Sequence, residues 1–276
     1  MPDLTDAVLH SFAATPDPRT HELVTGLIAH LHAYAREVGL TLDEWRGAID
    51  FLTRTGHLSG PARQEFILLS DVLGMSMLVD ELADRAPGTT DSTVLGPFYV
   101  GEHRAMENGA DLAADFAGEP LFVEVTLRDA AGTPIAGAIA DVWHADRDGL
   151  YDSQKGDAPS LRARFTSDPN GAIWFRTIVP CSYPIPTDGP VGELLAATAR
   201  HPMRPAHIHF FIRAPGKSPL VTHLFVAGDP HLASDAVFGV KPSLVAPLAV
   251  HTEPRYPDGT PAPARWSRLS YAFVLA

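Results

Sequence analysis

The chain contains a single cysteine, Cys181, among 276 residues. One thiol forms no internal disulfide and builds no cysteine-rich zinc site, and it fits a reducing cytoplasm. Any metal must then be held by His, Asp, Glu or Tyr. Positive charge is also scarce: 21 Lys and Arg face 33 Asp and Glu, for a formal net charge of −12. That balance argues against nucleic acid and anionic membrane surfaces as partners. No apolar run approaches the roughly 20 residues needed to span a bilayer. The opening stretch Met1-Pro2-Asp3-Leu4-Thr5-Asp6 has neither the basic region nor the apolar core of a signal peptide. What remains is a globular composition, 45% hydrophobic and 20% charged, long enough for one large domain with a helical extension.

The first third reads as helical. Leu23, Leu27, Leu31, Tyr34 and Val38 recur at three- and four-residue steps from Thr20 to Val38, and Gly39 follows as a stop. Thr41-Leu42-Asp43-Glu44 has the form of a capping box, opening a second helix with Trp45, Ile49 and Leu52 on one face. A third helix is predicted from about Ala62 to Leu82, apolar around much of its circumference and therefore covered on several sides. Neighbouring helices or a second subunit are the candidate covers.

Beyond Ala86-Pro87-Gly88 and a linker containing Gly96-Pro97-Phe98, the pattern changes to short strands. Leu121, Val123, Val125 and Leu127 alternate with Phe122, Glu124, Thr126 and Arg128. Ile139–Ala145, Ala206–Arg213, Val221–Ala227 and Leu269–Leu275 supply further strands. Asp168-Pro169-Asn170-Gly171 has the form of a hairpin turn between Arg162–Ser167 and Ala172–Val179. The Pro-rich segment Tyr183–Gly192 is too long for a tight turn and reads as a functional loop. The expected fold is mainly β with an all-α N-terminal part. Residues 1–90 are expected to form a helical domain, and residues 91–276 an antiparallel β-sandwich.

Within the second domain, Arg204-Pro205-Ala206-His207-Ile208-His209 leads into a strand, so His207 and His209 share a face. Two imidazoles on one face are a common metal-binding element, but a lone H-x-H is equally a pair of polar residues on a solvated face. Upstream, Trp143-His144-Ala145-Asp146-Arg147-Asp148-Gly149-Leu150-Tyr151 leaves a strand through an acidic turn. Pro180-Cys181-Ser182-Tyr183-Pro184 then places a second tyrosine among prolines. Taken singly, each tyrosine reads as a packed aromatic. In the order Tyr, Tyr, Arg-Pro-Ala-His-Ile-His, the chain resembles the intradiol ring-cleaving dioxygenases over nearly its whole length.

That resemblance implies a non-haem Fe(III), one per subunit, held by Tyr151, Tyr183, His207 and His209. The chemistry agrees, because a phenol with a pKa of about 10 ionises at neutral pH only beside a strongly charged hard cation. Fe(II) more often takes two histidines and a carboxylate. Iron(III), two phenolates and one hydroxide sum to zero charge. By resemblance, Tyr183 takes a proton from the incoming diol, Tyr151 stays bound, and Arg204 stabilises negative charge as the ring becomes ketone-like.

The same resemblance places Leu68, Asp71, Val94, Leu95, Gly96, Pro97, Phe98, Ile185, Pro186, Arg204 and Val237 around the substrate. Asp71 is suited to accept a hydrogen bond from a third ring hydroxyl, which favours hydroxyquinol (1,2,4-trihydroxybenzene) over catechol. His223, counted with Arg204 and Tyr183 as catalytic, stands where catechol-cleaving relatives usually have glutamine, so the glutamine role does not carry over unchanged. Cys181 reads as packing, and His144, His201, His231 and His251 are set aside. The implied partners are an aromatic diol or triol, O2 and a second copy of the chain, with lipid at the helical interface as an option. Three alternatives stand beside this expectation: catechol cleavage, a zinc hydrolase with His201 as third histidine, and a β-sandwich binding module whose histidines merely pack.

Overall fold

The computed structural model describes residues 3–60, 63–83, 86–101, 103–156 and 159–276. The chain packs as two compact units, Met1–Arg54 and Thr55–Ala276. In the first, α1 (Leu4–Ser11) and α2 (Pro18–Glu37) lead to α3 (Leu42–His57), whose last turn belongs to the second unit. Asp17 caps α2 by accepting the Thr20 amide at 2.6 Å. The capping box of α3 forms in both directions, Thr41 N–H to Glu44 at 2.8 Å and Glu44 N–H to Thr41 Oγ1 at 3.3 Å. Helix α1 carries no periodic signal long enough to be read from the sequence. It is tied to α2 by Thr5 against His32 (3.0 Å) and by the Arg36–Asp3 ion pair (3.0 Å).

In the second unit, the single helix expected to end at Leu82 is two, α4 (Glu65–Val72) and α5 (Met75–Leu82); the proposed start at Ala62 lies outside the described residues. The break falls at Gly74, whose φ of 74° is left-handed and stops an α-helix. The apolar residues on both sides of Gly74 conceal such a break.

Eleven strands follow among the described residues: β1 (Pro120–Asp129), β2 (Ile139–Trp143), β3 (Arg162–Thr166), β4 (Ala172–Ile178), β5 (Tyr183–Pro184), β6 (Met203–Arg204), β7 (His207–Arg213), β8 (Leu220–Val226), β9 (Val245–Ala246), β10 (Leu248–His251) and β11 (Trp266–Leu275). They form one sheet in the order β10-β11-β1-β4, a second in the order β3-β2-β7-β8-β9, and a small β5-β6 pair. Pairing is antiparallel except for β1 with β11 and β8 with β9. The helical N-terminal part and β-sandwich expected from the sequence are the fold adopted. Period-two burial builds the core: Leu121, Val123, Val125 and Leu127 of β1 meet Ala140, Val142, Ile208, Phe210 and Ile212 from the other sheet. Among the described residues no helix is long and apolar enough to cross a membrane.

The Asp168–Gly171 turn forms, with Gly171 N–H to Asp168 O at 2.9 Å, but β3 and β4 are not a hairpin. β3 pairs with β2 and β4 with β1, in opposite sheets. The crossing lets Phe165 and Phe175 stack face to face through the core at 5.1 Å, where a hairpin would set them side by side. The Tyr183–Gly192 loop is also shorter than expected, since Tyr183–Pro184 is a strand and Pro190 opens α7 (Pro190–Ala197).

Candidate metal centre

Strand β7 sends Ile208, Phe210 and Ile212 into the sandwich, so His207 and His209 stand on its outer face. That face is nonetheless sealed: each histidine is only 1% exposed. The cover comes from two loops. After β2 the chain turns at Asp146, whose Oδ1 accepts the amides of Asp148 (2.9 Å) and Leu150 (3.0 Å). Tyr151 follows as the N-cap of the short helix α6 (Asp152–Lys155), its amide bonded to Gln154 at 2.9 Å. Asp152 pairs with the buried Arg162, which also reaches the Phe98 carbonyl at 3.3 Å, and the Phe98 ring stacks on Tyr151 at 4.5 Å. Tyr183 is fixed from the other side by the β5–β6 pairing, opposite Arg204.

Four donor atoms converge. Tyr151 Oη lies 3.0 Å from Tyr183 Oη, 3.0 Å from His209 Nε2 and 3.5 Å from His207 Nε2. Tyr183 Oη is 3.3 Å from His207 Nε2, and the two Nε2 atoms are 3.1 Å apart. Burial pushes the Tyr151 phenol well above its ordinary pKa, reinforced by Tyr183; burial also raises Tyr183, against the pull of Arg204. Burial likewise holds His207 and His209 well below the usual imidazole range, so both are neutral. His207 Nδ1 is bonded to Pro205 O at 2.7 Å, which turns its Nε2 lone pair toward the phenols.

Arg204 is buried beside this cluster. Its Nη1 points at His207 Nε2 (3.3 Å), and its Nε donates to Asp235 at 3.1 Å. Burial opposes the charge of the guanidinium, but Asp235 and the two phenols outweigh it and raise its pKa. Asp235 also accepts the amides of Val237 (3.3 Å) and Gly239 (2.9 Å).

His223, opposite His209 in the β7–β8 register, is buried with Nδ1 on the Thr93 hydroxyl. One nitrogen from each of His207, His209 and His223 lies within 4.8 Å of the others. His201, the third histidine of the rival zinc arrangement, instead packs against His231, with ring centroids 5.3 Å apart. His144 is a satisfied core residue, bonded to Thr177 at 2.6 Å, and His251 stacks on Trp266. Cys181 donates to the Asp146 carbonyl and is half-buried, a packing role.

A cavity of about 510 Å³ opens at this cluster's margin, lined by Leu68, Pro97, Phe98, Ile185 and Pro186 among others. Asp71 is 2% exposed, and burial raises its pKa against the opposing effects of Ser76 and Arg204. Its Oδ1 has no hydrogen-bond partner among the described residues. Val94 and Val237 are buried, Leu95 is partly exposed, and a Cβ on Gly96 would stand 3.3 Å from His209 Cε1.

Comparison with known proteins decides the family. The pattern described as "Dioxygenase" matches residues 94–276, and "Catechol dioxygenase N terminus" matches residues 17–90. The chain is an intradiol ring-cleavage dioxygenase. It is 49% identical to a hydroxyquinol 1,2-dioxygenase of Nocardioides simplex, over 99% of this chain and 94% of that protein. It is 36% identical to a catechol 1,2-dioxygenase of Candida albicans, over 87% and 82% respectively. The solved hydroxyquinol 1,2-dioxygenase of Pseudomonas putida DLL-E4 superposes with a TM-score of 0.91 at 44% identity, covering 98% of this chain and 96% of that one.

Membership of the intradiol dioxygenases implies a non-haem iron, an aromatic diol and O2. The residues present suit such an ion. Two buried phenols kept neutral by desolvation and two neutral imidazoles present four lone-pair donors within 3.5 Å of at least one neighbour each, beside the buried Nε2 of His223, which has no partner among the described residues.

Sequence reading missed the residues that hold this dioxygenase site in place. Asp235 pairs with a residue 31 positions away, so no local pattern marks it. Gly149 has φ 79°, and a Cβ there would lie 2.5 Å from Tyr183 Cβ, so only glycine lets the two tyrosine loops meet. Gly149→Ala is expected to lower stability by about 1–3 kcal/mol in denaturant unfolding and to reduce bound iron. Unchanged values for both would show that the loops tolerate separation.

Proposed function

We propose that this dioxygenase cleaves hydroxyquinol with O2, giving 3-hydroxy-cis,cis-muconate, which tautomerises to maleylacetate. The observation that carries the reading is the meeting of Tyr151, Tyr183, His207 and His209 on one buried point, beside Arg204. On this reading these four residues hold one Fe(III) per subunit. The bound ion supplies the Lewis acidity that allows phenolates and a diol dianion to exist at neutral pH.

The chain's own residues then act around it. Tyr183 would take one of the diol's protons on its phenolate oxygen and the hydroxide counted with the ion the other, while Tyr151, stacked under Phe98 and capped by Gln154, keeps its place. Arg204, held by Asp235, stabilises negative charge as the ring becomes ketone-like. His223, braced by Thr93, occupies the position of the usual glutamine and faces His207 and His209. Leu68, Phe98, Ile185 and Pro186 wall the ring and exclude water. Val94, Leu95, Gly96, Pro97 and Val237 complete the assignment.

Hydroxyquinol is favoured over catechol by Asp71. A buried carboxylate oxygen without a partner is costly, and a third ring hydroxyl would supply one. The higher identity to the hydroxyquinol-cleaving relatives than to the catechol-cleaving one points the same way. Asp71→Ala is expected to lower kcat/KM for hydroxyquinol by about tenfold to a hundredfold more than for catechol. Equal losses would reject the hydrogen bond, and a wild-type preference for catechol would reject the substrate. The deciding experiment is the absorption spectrum of the purified protein, with oxygen uptake on both substrates. Tyrosinate-to-iron charge transfer gives a visible colour. Zinc on His207, His209 and His223, the second arrangement that the cluster favours, gives none.

The same reading extends to a cytoplasmic homodimer joined through the N-terminal helices, with lipid at that interface as the option that extraction tests. It is supported by apolar side chains left exposed on α2 (Leu23, Leu27, Leu31) and, in the second unit, on α5 (Leu78, Val79, Leu82). The boundary near residue 90 between helical and sandwich domains is kept as part of it. Sedimentation and lipid extraction test the assembly.

A further inference from the structure

His207 and His209 are held by different devices. The ring of His207 is fixed by a hydrogen bond from Nδ1 to the Pro205 carbonyl, at 2.7 Å. Nδ1 of His209 is buried and has no such partner among the described residues. Its ring lies instead against the indole of Trp143, with centroids 4.5 Å apart and planes within 12°. The β2–β7 register sets these two residues opposite one another. Trp143 is fully buried, and its Nε1 also lacks a partner among the described residues, so it offers His209 a ring face and not a polar group. Trp143 is packed in turn against Tyr99 at 5.1 Å. The Tyr99 hydroxyl donates to Asp141 at 3.0 Å, a carboxylate that is 0% exposed and paired with both Arg164 and Arg213 at 2.6 Å.

We propose that Trp143, braced by Tyr99, is the positioning residue for His209 and strengthens iron retention by stacking on it. The inference rests on the ligand set proposed above. A ligating histidine commonly gives its second N–H to an acceptor, which aims the ring and raises its basicity. His209 has the indole face in that place. An imidazole that donates to a cation becomes electron-poor, and the electron-rich face of an indole attracts it more strongly in that state. The stack therefore favours the metal-loaded form over the empty one, which distinguishes it from ordinary core packing.

Trp143→Phe keeps a flat ring and Trp143→Leu keeps only apolar bulk, so the two separate stacking from filling. Each variant is compared with the iron-loaded, coloured wild type for iron per subunit, rate of iron loss to a chelator, and visible absorption. Thermal unfolding after iron removal is recorded alongside. Trp143→Leu is expected to lose iron about tenfold faster and to shift the tyrosinate band to longer wavelength, as a poorer His209 donor leaves the metal more electron-deficient. Trp143→Phe is expected to stay within about threefold of wild type, with its band in place. Wild-type retention in Trp143→Leu, or equal losses in both variants at matched iron-free stability, would overturn the proposal. Should Trp143→Leu not fold, Trp143→Phe decides: a tenfold faster loss would overturn it. A wild type without iron or colour would instead defeat the ligand set itself.

Discussion

Tyr183→Phe is expected to reduce hydroxyquinol cleavage by about three orders of magnitude, within the range that a positioned proton acceptor contributes. The exchange removes one oxygen and leaves a ring of the same shape between Tyr151 and His207, where Tyr183 is buried. Two effects then combine. The diol loses the group proposed to take one of its protons. On the proposed ligand set, the buried ion would also lose one of two phenolates, leaving a net positive charge that desolvation makes costly. The visible absorption is expected to weaken and move, because one of the two proposed tyrosinate donors is gone. Oxygen uptake and an absorption spectrum on the same sample check both consequences. Near-normal turnover in Tyr183→Phe would remove Tyr183 from the mechanism.

The second large effect is expected at Arg204. Arg204→Met keeps the length of the side chain while removing the charge, and turnover should fall by about a hundredfold to a thousandfold. Stability should fall as well, by about 3–5 kcal/mol, because Asp235 is left as a buried carboxylate without its cation. The double variant Arg204→Met/Asp235→Asn separates these roles. It removes both charges, while the carbonyl of the introduced amide can still accept a backbone N–H from Val237 or Gly239. We expect stability to recover in large part and activity not to recover. Denaturant unfolding and steady-state rates on the three proteins provide the check. Activity that returned together with stability would make Arg204 a structural residue.

The two predictions depend on different parts of the chain's legibility. The alternation around Ile208 by itself puts His207 and His209 on one face, and their burial on the outer face of β7 agrees. The tyrosines were visible as residues in turns, since Asp146 and the Pro-flanked Tyr183 mark chain reversals. Their convergence was readable only through family resemblance. Asp235 was not legible at all, because nothing near Ser234-Asp235-Ala236 announces an arginine partner 31 residues upstream. The division between β3 and β4 was misread for a related reason. Asp168–Gly171 specifies a reversal, but which neighbour each strand takes depends on Phe165 and Phe175 meeting across the core. Gly74 did carry its signal, yet the apolar run on both sides of it outweighed a single residue.

By itself the sequence determined the chemistry on offer: one thiol, hence no sulfur cage, and phenol and imidazole donors whose facing follows from strand periodicity. It determined the helical start and the strand-rich remainder, because these are written in local spacing and turn residues. Tertiary structure alone decided that Tyr151 and Tyr183, 56 and 24 residues before His207, come within 3.5 Å of its Nε2. It alone decided that Trp143 lies flat on His209 and that Asp235 meets Arg204. Backbone geometry fixes which way a side chain leaves its own strand, whereas the loop that closes over it is chosen by packing between segments far apart in the chain.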